Sequence, residues 1–414
     1  MTTESVLHVD IPLPIHQGTP RDLGDALHAV ASISAAVTAR VVDSDGPHPE
    51  TFADLKRVGL PGFVVPTVYG GGGATLTEAS AVIRALAAVD ASAALVLTMH
   101  YIHSTRLLSP TDPPEPLVRL GRRLAADNQL LNFAASEGRS GAPSRGGAAT
   151  TTARRDDAGG WILDGRKRYV TGSIGLDVIL VTATSVDSET AESTTHTFVV
   201  DTADPGVRIE HTWDTIGLRG SASNDVVLDN VRVGAEAAVT AYDPNTNAET
   251  ADTFYNWWSL LLASIHLGIG TAARSYALGF AAGARDDGKS GLRSEQPRTR
   301  EHAAAVELAL LQAETLLDSA LRRSSAEGTT RPGLGPAVKL LVHRHATEAV
   351  DHAARLVGGA SVWNDSPLSR YFRDLRVAMF NPPNDDVVTD RIAEVIFSPA
   401  AGTLLVGPNR EASR

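Results

Sequence analysis

The chain has 414 residues, 43% of them hydrophobic but only 5% aromatic, which suits two or three domains of an alanine-rich, largely helical enzyme. A formal charge of -11 argues against a phosphate-backbone partner, so no nucleic acid is expected, and the lack of cysteine excludes disulfides, thiolate chemistry and cysteine-ligated metal centres. No apolar run is expected to reach the ~20 residues that cross a bilayer, and MTTESVLHVDIPLPIHQG lacks a basic start leading into an apolar stretch, so a cytoplasmic protein with no membrane partner is expected.

From about Leu23 to Ala125 the apolar residues recur at helical spacing, punctuated by GPHPE at 46–50, VPTVYGGGG at 65–73 and SPTDPPEP at 109–116. This predicts an N-terminal α-helical domain over 1–128. Short β-branched runs between turn residues follow, in TTTARRDDAGGWILDGRKRYV, DVILVTATSV, THTFVVDT and NDVVLDNVRV, and predict a β domain over 129–242. Helical spacing returns at roughly 251–284, 299–326 and 335–358, with a shorter stretch after Asp385, which predicts a helical bundle domain over 243–414. The segment 284–301 is a polar interruption between two long helices. HRH at 343–345 sits in a basic helix without acidic partners, so no metal site is expected.

Four stretches carry a family resemblance, and they stand in order: GFVVPTVYGGGGATLTEASAVIRALAAVDASAAL at 62–95, WILDGRKRYVTGSIGLDVILV at 161–181, WDTIGLRGSASNDVVLDNVRV at 213–233 and LVGGASVWNDSPLSRYFRD at 356–374. Together they resemble the acyl-CoA dehydrogenase superfamily over nearly the whole chain, and within it the flavin-dependent, dibenzothiophene monooxygenase-like relatives more than ordinary dehydrogenases. The resemblance implies an α+β, acyl-CoA dehydrogenase-like fold with an N-terminal helical domain, a middle β-barrel-like domain and a C-terminal four-helix bundle. It also implies a flavin cofactor, FAD or FMN, and bundles packed across a two-fold axis in a homotetramer or homodimer.

The same resemblance assigns residues. Thr171 is similar to the hydroxyl residue that hydrogen-bonds flavin N5 and O4, and Tyr169 to the aromatic residue against the ring. Both also suit an alternating strand, where burial alone explains a tyrosine. Phe133, Ala135 and Ser136, in FAASE, match the strand that offers backbone amides and a hydroxyl to the pyrimidine edge and phosphate; GRSGAPS then departs from the family's small-residue run. Gly358 and Gly359 match a turn that lets a neighbouring subunit's cofactor approach, and Arg285 lies within one position of an arginine that reaches an adenine diphosphate across the dimer. The glycines at 70–73 and 217–220 read as tight turns.

What the family would need for α-proton abstraction is missing. Its Glu position falls on Pro382, an alternative base position falls near Trp258, and an arginine that holds CoA falls near Ser259. Phe254, Tyr255 and Trp258 instead form an aromatic stretch that reads either as an apolar substrate pocket or as the packed face of an amphipathic helix. Asp385 and Asp386 read as the first turn of a helix, with a relocated base as the alternative. His100 lies where sulfur-heterocycle monooxygenases of the superfamily carry a His near the flavin, and Asn381 coincides with their second His; a buried structural role is the alternative for His100. The expectation is a monooxygenase acting with reduced flavin and O2 on a small apolar or aromatic substrate, the flavin reduced by a separate reductase. The alternatives are an acyl-CoA dehydrogenase with a relocated base and a non-catalytic flavin-binding partner subunit.

Overall fold

The computed structural model describes residues 18–108, 113–138, 149–186, 192–239, 248–285, 290–325 and 333–397. The chain divides into two compact units, Met1–Thr246 and Asn247–Arg414.

In the first unit, helices α1 (Leu23–Asp43), α2 (Pro49–Arg57), α3 (Leu76–Ala87), α4 (Ala91–Leu108) and α5 (Glu115–Ala126) precede seven strands among the described residues. Local chemistry fixes the helix starts. Asp22 accepts from the Asp25 amide ahead of α1, Pro49 opens α2, and Thr75 with Glu78 forms a reciprocal cap on α3. Every residue of α4 from Ala91 to Ser104 is buried, so this helix is the core onto which α3 and the first strand pack. The turn before α3 needs its glycines for closeness: a Cβ on Gly71 would stand 2.1 Å from the Val65 carbonyl oxygen.

Helix α1 is 21 residues long and, by length and composition, apolar enough over an 18-residue window to cross a membrane. Scattered alanines, valines and isoleucines raise the average without forming an unbroken run. Its stripe of Ala26, Val30, Ile33 and Val37 is buried within the unit, where α1 packs on α3.

The strands are β1 (Leu131–Ala134), β2 (Thr152–Arg155), β3 (Trp161–Val170), β4 (Val178–Val186), β5 (Ser193–Asp201), β6 (Val207–Glu210) and β7 (Asn224–Val233). They form one sheet in the order β1-β4-β2-β3-β7-β6, with β5 also paired to β4. Along β3, Lys167 turns into the core while Arg166 and Arg168 turn outward, the period-two alternation of a strand. The β3–β7 register slips between Lys167 and Val170, and Tyr169 there adopts a φ of 57°.

The second unit contains α6 (Ala248–Ala281), α7 (Pro297–Ser325), α8 (Leu334–Val357), α9 (Pro367–Ala378) and α10 (Asp385–Phe397). The three long helices pack on one another, α9 lies against α6 and α8, and α10 contacts α8. Asn384 caps α10 by accepting from the Val387 amide, which places Asp385 and Asp386 in its first turn, where the helix dipole favours carboxylates.

Candidate functional site

In the first unit the ends of β1 and β3 are stitched side by side. The Asn132 side chain donates to the Thr171 carbonyl at 2.8 Å, and the Arg168 amide donates to the Ser136 carbonyl at 2.9 Å. Phe133, Ala135, Ser136, Tyr169 and Thr171 therefore belong to one continuous backbone surface. A buried clasp secures its rear: Lys167 is fully buried and donates to Glu137 and to the Thr182 carbonyl, while Glu137 also accepts from the hydroxyls and amides of Thr150 and Thr151. Burial works to raise the Glu137 carboxyl, but the Lys167 ammonium and the threonine donors hold it down at about 2. GRSGAPS lies outside the described residues beyond Gly138.

Thr171 is half-buried, and its hydroxyl joins a line of hydroxyls, 2.9 Å to Ser223 and 2.9 Å from there to Ser221. Either partner in each pair can donate, so the direction of the line is reversible. Tyr169 is 59% exposed, held edge-on by Trp213 at 6.4 Å and beneath the Arg168 guanidinium at 5.3 Å. An aromatic side chain presented outward from left-handed backbone is a strained arrangement of the kind that gathers at binding sites.

His100 has a different place. It is fully buried, its Nε2 lies 2.9 Å from the Pro61 carbonyl and its Nδ1 lies 3.0 Å from the Leu131 amide. A carbonyl only accepts and an amide only donates, so Nε2 must carry the proton and Nδ1 must be bare. Both ring nitrogens are thus engaged within the protein, in support of β1, and neither is directed at a ligand. Burial holds its pKa at about 4.

In the second unit the aromatic stretch and the segment after α9 come together. Phe254 lies 5.7 Å from Tyr255 and 5.4 Å, edge-on, from Trp258, all three half-buried. The Trp258 indole N–H donates to the Pro382 carbonyl. Ser259 is fully buried in α6, and Gly335 at the start of α8 approaches it so closely that a Cβ there would lie 3.4 Å from the serine's own. Sequence inspection missed the group that holds this wall. Lys339 of α8 is buried and donates to the carbonyls of Asn381 and, at 2.8 Å, of Pro383. Burial lowers its pKa to about 8. The only available signal was one lysine among the apolar positions of GPAVKLLV. Asn381 is half-buried, and its backbone carbonyl is the anchored group.

One turn beyond Lys339, His343 packs edge-on against buried His266 at 4.8 Å, and burial with the nearby Lys339 charge holds His343 at about 4. His345 has an acidic neighbour after all, Glu348 at 3.5 Å, because i,i+3 positions face each other on a helix. Gly358 ends α8 with a φ of 76°, and nothing within 4 Å would meet a Cβ on it or on Gly359. Arg285 follows α6, its amide donating to the Gly291 carbonyl at 3.3 Å.

Comparison with known proteins agrees along the chain. Residues 20–109, 132–231 and 258–397 match the profiles described as the acyl-CoA dehydrogenase N-terminal, middle and C-terminal domains. The chain is 32% identical to the putative acyl-CoA dehydrogenase YdbM of Bacillus subtilis (strain 168), over 87% of this chain and 93% of that protein. It is 29% identical to the amino sugar nitrososynthase DnmZ of Streptomyces peucetius, over 83% and 85%. It is 27% identical to the isobutylamine N-hydroxylase of Streptomyces viridifaciens, over 80% and 85%. Among solved structures it resembles KijD3 in complex with FMN and a dTDP-linked amino sugar, with a TM-score of 0.77, 23% identity and coverage of 92% and 94%. It also resembles FMN-bound TdsC of Paenibacillus sp. A11-2, with a TM-score of 0.74, 19% identity and coverage of 90% and 95%.

Proposed function

The chain belongs to the acyl-CoA dehydrogenase family, and from that premise we propose that it is a flavin-dependent monooxygenase acting on a small apolar or aromatic substrate. The observation that carries this reading is the contact of Trp258 with Pro382. The family resemblance would put a carboxylate base at Pro382 or, alternatively, near Trp258, and here a proline and an indole stand there and are bonded to each other. The buried Ser259 leaves no room for a CoA-holding arginine either. Oxygenation requires no α-proton base and no thioester grip. The nitrososynthase and N-hydroxylase relatives carry oxidising activities in their names and support the same direction.

Reduced flavin, delivered by a separate reductase, supplies the electrons that activate O2. The chain's own residues bind and shield it. Tyr169 offers a ring face, while Phe133, Ala135 and Ser136 offer the neighbouring strand end. Thr171 offers a hydroxyl whose line to Ser223 and Ser221 can reverse. Such a line serves a ring nitrogen that accepts when oxidised and donates when reduced. Phe254, Tyr255 and Trp258 line the apolar pocket, with Asn381 as its polar point, held by Lys339. Arg285, Gly358 and Gly359 face a neighbouring subunit's cofactor in this reading. His100 positions β1 rather than meeting oxygen. The protein acts in the cytoplasm as a homotetramer or homodimer.

The 32% identity to a putative acyl-CoA dehydrogenase favours a second reading, in which Asp385 or Asp386 has become the base. The test is an absorbance titration of the flavin-loaded protein without O2. A panel of acyl-CoAs is expected to leave the flavin oxidised, while supplied reduced flavin and O2 oxygenate an apolar or aromatic substrate. Rapid bleaching by an acyl-CoA, lost on Asp385→Asn or Asp386→Asn, overturns the proposal for the second reading.

A further inference from the structure

The turn between α9 and α10, residues 379–384, is tied at its centre by side chains of other helices. Its first amides return to α9, from Met379 to the Leu375 carbonyl, from Phe380 to Val377 and from Asn381 to Ala378, and the Val388 amide returns to Asn384. Pro382 and Pro383 carry no N–H, so no backbone ladder takes up the middle of this stretch. Three consecutive carbonyls remain there, and each meets a side-chain donor. Trp258 of α6 donates to that of Pro382, and Lys339 of α8 donates to those of Asn381 and, at 2.8 Å, of Pro383.

The strength of this tie depends on a proton. Bonds from an ammonium are charge-assisted and roughly twice as strong as neutral ones, whereas the deprotonated amine has two N–H groups and a lone pair set among carbonyl oxygens. Lys339 is 2% exposed, and burial brings its pKa down to about 8 against the pull of the Asp385 carboxylate at the start of α10. The other groups around it keep their charge state near that value. His343 on α8 and His266 on α6 are buried and held far lower, each in part by the Lys339 charge, and the nearby Arg376 of α9 and Arg344 of α8 are permanent cations. The side chains that α7 buries at Ala313, Leu317, Ala320 and Leu321 are apolar. Lys339 is therefore the group whose charge changes just above neutrality, and its bonds end on the wall of the aromatic pocket.

We propose that Lys339 is a proton-operated latch: charged, it holds the Asn381–Pro383 wall against Trp258, and neutral, it lets that wall loosen. That the wall bounds a substrate pocket rests on the reading given above; the latch itself does not. The test reads Trp258 directly, as the difference in tryptophan emission and acrylamide quenching between the flavin-loaded full chain and its Trp258→Phe variant, from acid to alkaline side of neutrality. Quenching in the wild type is expected to rise in a single step centred at about pH 8. Lys339→Met should show the alkaline value throughout, and Lys339→Arg, which keeps its charge, the acidic value throughout. Equilibrium dialysis of indole, an aromatic probe that is neutral over this range, should follow the same step. Its binding should weaken by roughly 3- to 10-fold, the size of a charge-assisted bond reduced to an ordinary one. A Trp258 step without a change in indole binding keeps the latch and removes the pocket reading. Absence of the step in the wild type, or a step that survives in either Lys339 variant, overturns the latch. The wild-type titration decides the matter even where a variant does not fold.

Discussion

A histidine buried away from water is a different chemical object from one that titrates at the surface, and His100 and His343 are of the first kind. Both are held at about 4, far below the ordinary histidine value, principally by burial. The consequence for stability has a definite sign. Between about pH 6.5 and 4 the unfolded chain takes up protons that the fold refuses, so stability is full above that window and falls as the pH drops through it. A displacement of this size corresponds to a loss on the order of 3 kcal/mol per group across the window. Urea unfolding of the wild type should therefore show a midpoint that declines from pH 7.5 to pH 5, before most carboxylates protonate. His343→Leu, which replaces the ring by an apolar group of similar size, should flatten that decline. A midpoint constant over this range would show that these rings protonate freely in the native protein.

At the scale of elements, the clasp between Glu137 and Lys167 ties the exit of β1 to β3 and to Thr150 and Thr151. Breaking one side leaves a buried charge alone, so Lys167→Met or Glu137→Gln should each cost about 3–5 kcal/mol. The double variant should cost less than the sum, since no uncompensated charge remains. Urea midpoints of the three variants check this, and strict additivity would mean that the two groups act independently. This clasp also marks how far the sequence was legible. The alternation of β3, the helical spacing of the N- and C-terminal stretches and the acidic first turn of α10 are local patterns, and each is present in the fold. The pairing of Lys167 with Glu137 depends on strand register between residues 30 positions apart, which no local period encodes. The same holds for Lys339: its sequence neighbours announce a buried helix face, but its partners lie 42 and 44 positions away in a turn. His100 shows the converse, where a motif position suggested a site and the backbone groups around it made the residue structural.

At the scale of the whole molecule, the second unit leaves large apolar side chains in the open. Val362 is 77% exposed, Trp363 69% and Phe380 68%, the first two a few residues after Gly358 and Gly359. Single exposed apolar residues are common, but an adjacent valine and tryptophan behind a left-handed glycine are what an interface between like bundles would use. Tryptophan at the centre of such a contact contributes far more than its share of area. Sedimentation of the wild type should then give a homotetramer or homodimer mass, and Val362→Ser with Trp363→Ser should shift it toward the monomer while the helical circular dichroism is kept. A monomer mass for the wild type would remove the interface, and with it the role given to Gly358, Gly359 and Arg285 at a neighbouring subunit's cofactor. Because that role depends on assembly, dissociation in the double variant should also weaken flavin binding.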